Sequence, residues 1–227
     1  MKEKEIMIED LDSFQTIFTK YGALALDKQE SLAKLIGDEI GNLNIEKGTI
    51  SFGDELEFPI QIIGTLSSES NKWNWAWDNE NVGLPENLIK EAIEVKKIGE
   101  KHDIAQLTTN IFDADILEAH IIAMVVSGIM DDDAYYAADF DGIEFFVTIK
   151  SDKIPRDDTI ERFINVYDRF HKEFDVKPRL AFETYTKFRG YDYKEKEEFS
   201  VAKMGESRVI VGFTDRGNVT HIQTLLE

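Results

Sequence analysis

Lys72-Trp73-Asn74-Trp75-Ala76-Trp77-Asp78-Asn79 holds all three tryptophans of the 227-residue chain. In an extended strand the period of two puts Trp73, Trp75 and Trp77 on one face, with Asn74 and Ala76 on the other. Burying three indoles would contribute at most ~15 kcal/mol, taking about 200 Å² per ring and about 25 cal/mol per Å². Exposed, they would form a patch of roughly 600 Å², at the upper end for a soluble monomer. The row therefore lines a core, a partly covered pocket wall or a protein-binding face, and each buried indole N–H needs an acceptor.

Working outward, 42–45, 49–52, 58–66 and 73–77 read as strands separated by turn-forming residues such as Gly48 and Gly53. A helical stripe over 12–36 (Phe14, Ile17, Phe18, Tyr21, Leu24, Leu32) precedes them, ended by Gly37 and with a break at Asp27 as one option. A second helix runs from Pro85 to Ile98, stopped by Gly99. The helix over 116–130, capped by Asp113 or Asp115, is apolar almost all round and should be central, with Ala119, Ala123 and Ser127 admitting a close neighbour. Asp131 to Asp133 either cap a short turn at 134–137 or hold a cation. The calcium-loop reading of Asp139-Phe140-Asp141-Gly142 fails, because Ala137 and Thr148 stand at ligand positions. A strand at 143–149 follows. Beyond the candidate hinge 151–155 come a helix (Ile160, Phe163, Tyr167, Phe170) and four strand-like runs, 180–188, 197–203, 208–213 and 219–225.

The expected fold is α+β: antiparallel meanders each preceded by a helix, packed about a buried hydrophobic helix, with cystatin-like folds as an analogy only. The expected division is 1–150 and 151–227, with one continuous domain as the alternative. Gly48-Thr49-Ile50-Ser51-Phe52, Ile63-Gly64-Thr65, Trp73-x-Trp75-Ala76-Trp77-x-Asn79, Gly99-Glu100-x-His102 and Glu118-Ala119-His120, in that order, resemble an uncharacterised, mostly bacterial family of unknown function. The resemblance covers roughly residues 30–150, with Asp78 a departure where relatives carry an apolar or small residue. It implies ancestry and supplies no activity, substrate or catalytic residue.

Forty-five acidic against twenty-six basic side chains give a formal charge of −19. That charge disfavours nucleic acid and anionic membranes and favours basic proteins, cationic ligands or plain solubility. No cysteine is present, which removes disulfides and thiolate chemistry. The N-terminal stretch lacks an apolar signal region and no apolar run spans a bilayer, so a cytoplasmic protein is expected.

Phosphate-loop, dinucleotide, zinc-protease and nucleophile-elbow motifs are missing, and neither cofactor nor metal is expected. Glu118 and His120 stand out. Two apart on a helix they diverge, so His120 faces inward beside the tryptophan row and Glu118 needs an arginine partner if buried. Ser127 lies within two turns of His120, without a placed carboxylate to complete a triad. The candidate binding residues are Trp73, Trp75, Trp77, Asn79, Glu118 and His120. The leading expectation is a non-enzymatic acidic binding protein that neutralises a basic protein partner, in the manner of an immunity protein. The alternative is a small-molecule-binding or hydrolytic enzyme with a pocket at the tryptophan row and His120.

Overall fold

The computed structural model describes residues 11–78, 83–140 and 142–226. Helix α1 (Phe14–Ile36) opens on Ser13, whose side chain accepts the Thr16 N–H, and closes on Gly37 at φ 59°. It runs unbroken through Asp27, because that carboxylate is engaged sideways by Arg162 rather than by its own backbone.

Strands β1 (Gly41–Asn44), β2 (Thr49–Phe52), β3 (Leu56–Ser67) and β4 (Lys72–Trp75) form an antiparallel meander. After a 3-10 turn at Glu86–Leu88 come helix α2 (Lys90–His102), the short α3 (Ala105–Thr108) and β5 (Ile111–Asp113), which pairs with β4. Helix α4 (Ile116–Met130) leads into β6 (Ala134–Phe140) and β7 (Ile143–Ile149). β7 pairs with β3, making β3 the hub of a seven-stranded sheet. Along β7, Phe145, Val147 and Ile149 belong to one core cluster and Phe146 to another, as alternation requires. A register shift between Ile62 and Gly64 lets β3 send Ile62 to one cluster and Ile63 to the other.

Helix α4 is the buried central helix its composition implies. Asp115 caps it reciprocally with Glu118, and Asp131 ends it at φ 60°. A Cβ on Gly128 would come 2.5 Å from the Tyr21 Cβ, so the helix admits α1 through a residue without a side chain. Helices α5 (Ile160–Glu173) and α6 (Pro178–Phe188) follow, then the meander β8 (Asp192–Glu195), β9 (Phe199–Met204), β10 (Ser207–Phe213) and β11 (Val219–Leu225). One core cluster draws Trp73 and Val125 together with Phe163, Phe182 and Val211.

The architecture is α+β, with four local corrections. Residues 180–188 form helix, not strand: Pro178 starts the first turn, and Ala181, Phe182 and Tyr185 bury one stripe. Two helices therefore precede the second meander. Residues 134–137 belong to a strand rather than a turn. Ala134 and Ala138 enter one cluster and Tyr135 the other, and burial on both sides hides the usual alternation. Helix α2 passes through Gly99, whose missing side chain makes room for Leu107, and stops at left-handed Asp103. The tryptophan strand ends at Trp75, leaving Trp77 in the turn beyond.

Candidate functional site

Trp73 and Trp75 face the core from β4, opposite Leu66 and Gly64 of β3. Gly64 creates the space, since a Cβ there would come 2.5 Å from the Trp73 ring and 2.7 Å from the Asn74 carbonyl oxygen. Trp73 meets Trp75 edge-on with centroids 5.4 Å apart, and Trp77 stacks on Trp75 at 6.3 Å. The row thus continues past the strand end through ring stacking. Trp75 Nε1 donates to the Gln106 carbonyl at 3.1 Å, while buried Trp73 Nε1 and Trp77 Nε1 meet no acceptor. The half-buried Trp77 lies under the Lys96 ammonium, 4.0 Å from the ring centroid. Asn79 falls outside the described residues.

His120 is linked to the tryptophan row through Phe146. It packs edge-on against Phe146 at 5.4 Å, and Phe146 in turn lies 5.3 Å from Trp73, so a phenyl ring fills the space between them. The His120 Nδ1 is 3.2 Å from the Tyr135 hydroxyl. Desolvation lowers the His120 pKa against a weaker opposing pull from Glu144. Glu118 is exposed and accepts the Asp115 N–H at 2.8 Å, so its carboxylate works as a helix cap and not as a partner of Arg162, Arg169 or Arg179. Among the described residues, concavities beside Asp27, Asp132, Arg179, Phe199 and His171 are lined by neither a tryptophan nor His120.

Two features escaped the sequence reading. The first is an end of the sheet where three large apolar side chains stay exposed. Phe140 stands opposite Ile143, Ile143 opposite Ser67, Ser67 opposite Lys72 and Lys72 opposite Asp113, one row across five strands. The next row is Phe145, Thr65, Asn74 and Ile111. Directly opposed residues share a face, and this is the face turned away from Trp73. Phe140, Ile143 and Ile111 remain 61%, 42% and 51% exposed on it. Ser68 ties the two turns at this end together, its hydroxyl donating to the Gly142 carbonyl at 2.7 Å. The charged side chains in these strands and turns include Glu69, Asp113, Asp139 and Lys72, the last paired with Asp113 at 2.6 Å.

The second is the run after α4, where three adjacent aspartates have three different fates. Asp131 ends the helix and meets Lys28 at 3.5 Å, and Asp133 accepts the Ser151 N–H at 2.8 Å. Asp132 is wholly buried. No group of three or more histidine or acidic side chains able to hold a metal occurs among the described residues, and no helix there is long and apolar enough to cross a membrane.

A family model described as a family of unknown function, DUF6882, matches residues 15–152. No curated protein and no solved structure matches the chain.

Proposed function

The chain belongs to DUF6882, a family of unknown function, and for it we propose a non-enzymatic role: an acidic cytoplasmic protein that docks on and neutralises a basic protein partner, as an immunity protein does. The observation that carries this reading is the sheet end where Phe140, Ile143 and Ile111 are exposed on a chain of charge −19. Apolar anchors ringed by charge are the pattern of protein interfaces, in which a few large side chains supply most of the affinity. The net charge favours a basic partner by speeding encounter, and it repels phosphate backbones and anionic lipid. The tryptophan row supports the fold in this reading and does not contact the partner.

The test is capture from a lysate of the source cells by the wild-type protein and by a Phe140→Ser/Ile143→Ser variant, with captured proteins identified and the purified pair measured. A basic protein bound one-to-one, with an association rate that falls as salt rises and an affinity reduced at least about tenfold by the variant, is the expected result. Capture of only neutral or acidic proteins, or affinity untouched by the double substitution, refutes the reading.

A further inference from the structure

Asp132 is held in place by its backbone. Its N–H donates to the Ser127 carbonyl at 2.9 Å, and its own carbonyl accepts from Lys28 Nζ at 2.6 Å. The side chain lines a concavity of about 330 Å³ between the start of α2 and strands β3 and β7. The residue is 0% exposed, and apart from the proton it shares with Glu91 no donor reaches either carboxyl oxygen. Its neighbour is a second acceptor, the half-buried carboxylate of Glu91, which already takes the Thr148 hydroxyl proton in a hydrogen bond. Gln61 is engaged elsewhere: its Oε1 accepts the Lys90 N–H at 3.0 Å and its Nε2 donates to the Asn87 carbonyl at 2.9 Å. Asp132 and Glu91 thus share one proton in a cavity that offers them few other donors, and ionising both there is costly.

We propose that this cavity is a binding site for a small guanidinium compound that also carries an anionic group, the chemistry of free arginine. A guanidinium presents five N–H donors in one plane and sheds its water more readily than an ammonium does, so it can bridge Asp132 and Glu91. A bare divalent cation fits less well. Calcium takes six to eight oxygens, and no third acidic or histidine ligand stands with this pair among the described residues. Pro59 and Ile60 give the wall an apolar strip for an alkyl stem. Lys90 and Lys150, exposed on the same lining, are placed to take the ligand's anionic end.

Binding must displace a proton. Burial first, then the Glu91 charge and the hydrogen bond to Glu91, hold the Asp132 carboxyl up at about 8, with Lys150 and Lys28 opposing. A guanidinium keeps its charge throughout the neutral range. The ligand should therefore bind more tightly as pH rises from 6.5 to 8.5, releasing a proton below about pH 8.

Calorimetric titration of the full chain with L-arginine, agmatine and L-citrulline tests the site. Saturable one-to-one binding of L-arginine is expected, with proton release visible as a heat that varies with buffer at pH 7. Agmatine, which lacks the carboxylate, should bind several-fold more weakly. Citrulline, a neutral near-isostere, should show no binding. Asp132→Asn and Glu91→Gln should each abolish arginine binding, and Lys150→Gln should lower arginine to the agmatine level. Circular dichroism of each variant checks that it folds, and the wild-type comparison of arginine with citrulline needs no variant. Absence of arginine binding to the wild type, equal binding of citrulline, or unchanged affinity in the Asp132→Asn protein overturns the proposal. The cavity and the exposed sheet end share no residue, so either can fail alone.

Discussion

The imidazole of His120 and the phenol of Tyr135 face each other across 3.2 Å, each shifted by burial toward its neutral form. Burial pushes the Tyr135 hydroxyl up to about 12 and the His120 imidazole down from 6.5. Below pH 6.5 the unfolded chain takes up a proton that the folded His120 resists, so stability falls as pH drops through that window. His171, also lowered chiefly by desolvation, acts in the same direction. Urea unfolding at pH 7.5 and 5.5 should show a smaller acid loss for His120→Gln than for the wild type. An equal loss in both would mean that His120 is protonated in the folded protein.

Asp27 is the polar clamp between the first helix and the later ones. Its carboxylate meets Arg189, Arg162 Nε at 2.8 Å and the Tyr185 hydroxyl at 2.9 Å, and Asp27 and Arg189 are only 3% and 4% exposed. Replacing one partner strands the other's charge in the interior, which costs about 3–5 kcal/mol. Asp27→Asn should therefore lower the unfolding free energy, read from urea denaturation, by about that amount. Asp27→Asn combined with Arg189→Met, which removes the more deeply buried guanidinium and leaves Arg162 on Glu30 at 2.9 Å, should recover part of it. A loss below about 1 kcal/mol in the single variant would place the pair in water.

What could be read in advance follows from which information is local. The stripe of α1, the cap and apolar periphery of α4, and the alternation of Trp73 with Trp75 are each written within a few adjacent residues, and all three appear in the structure. Residues 180–188 read as a strand in sequence because Thr184, Tyr185, Thr186 and Phe188 favour strands. Packing of Ala181, Phe182 and Tyr185 outweighs that preference. Trp77 was misread because alternation cannot say where a strand ends. The candidate sites were harder still. Phe140 reads as part of a failed calcium loop, and its 61% exposure is set by how distant elements pack on the sheet. Nothing in three consecutive aspartates distinguishes the middle one. Its burial against Glu91 joins residues 41 positions apart, a pairing that only the packing of α2 beside β7 creates.

That pairing makes Asp132 a residue the fold would be more stable without. Its pKa stands at about 8 in the fold against 3.8 for an unperturbed aspartate, so between these values the folded state binds more protons than the unfolded one. Stability from this group is therefore present at low pH and is lost as pH rises from about 4 to about 8. At pH 7 the penalty is on the order of 2–4 kcal/mol, at 1.36 kcal/mol per unit and discounted for coupling to Glu91. Asp132→Asn keeps the shape, ends the need to take up a proton on folding and gives Glu91 an N–H donor, so it should raise stability at pH 7 by about 2 kcal/mol. The gain should shrink toward zero below about pH 4, as the unfolded wild-type carboxyl also becomes protonated. Thermal melts across pH 4–8 would show this as two curves that converge in acid. Parallel curves, or an Asn variant less stable at pH 7, would mean that a donor already satisfies the carboxylate.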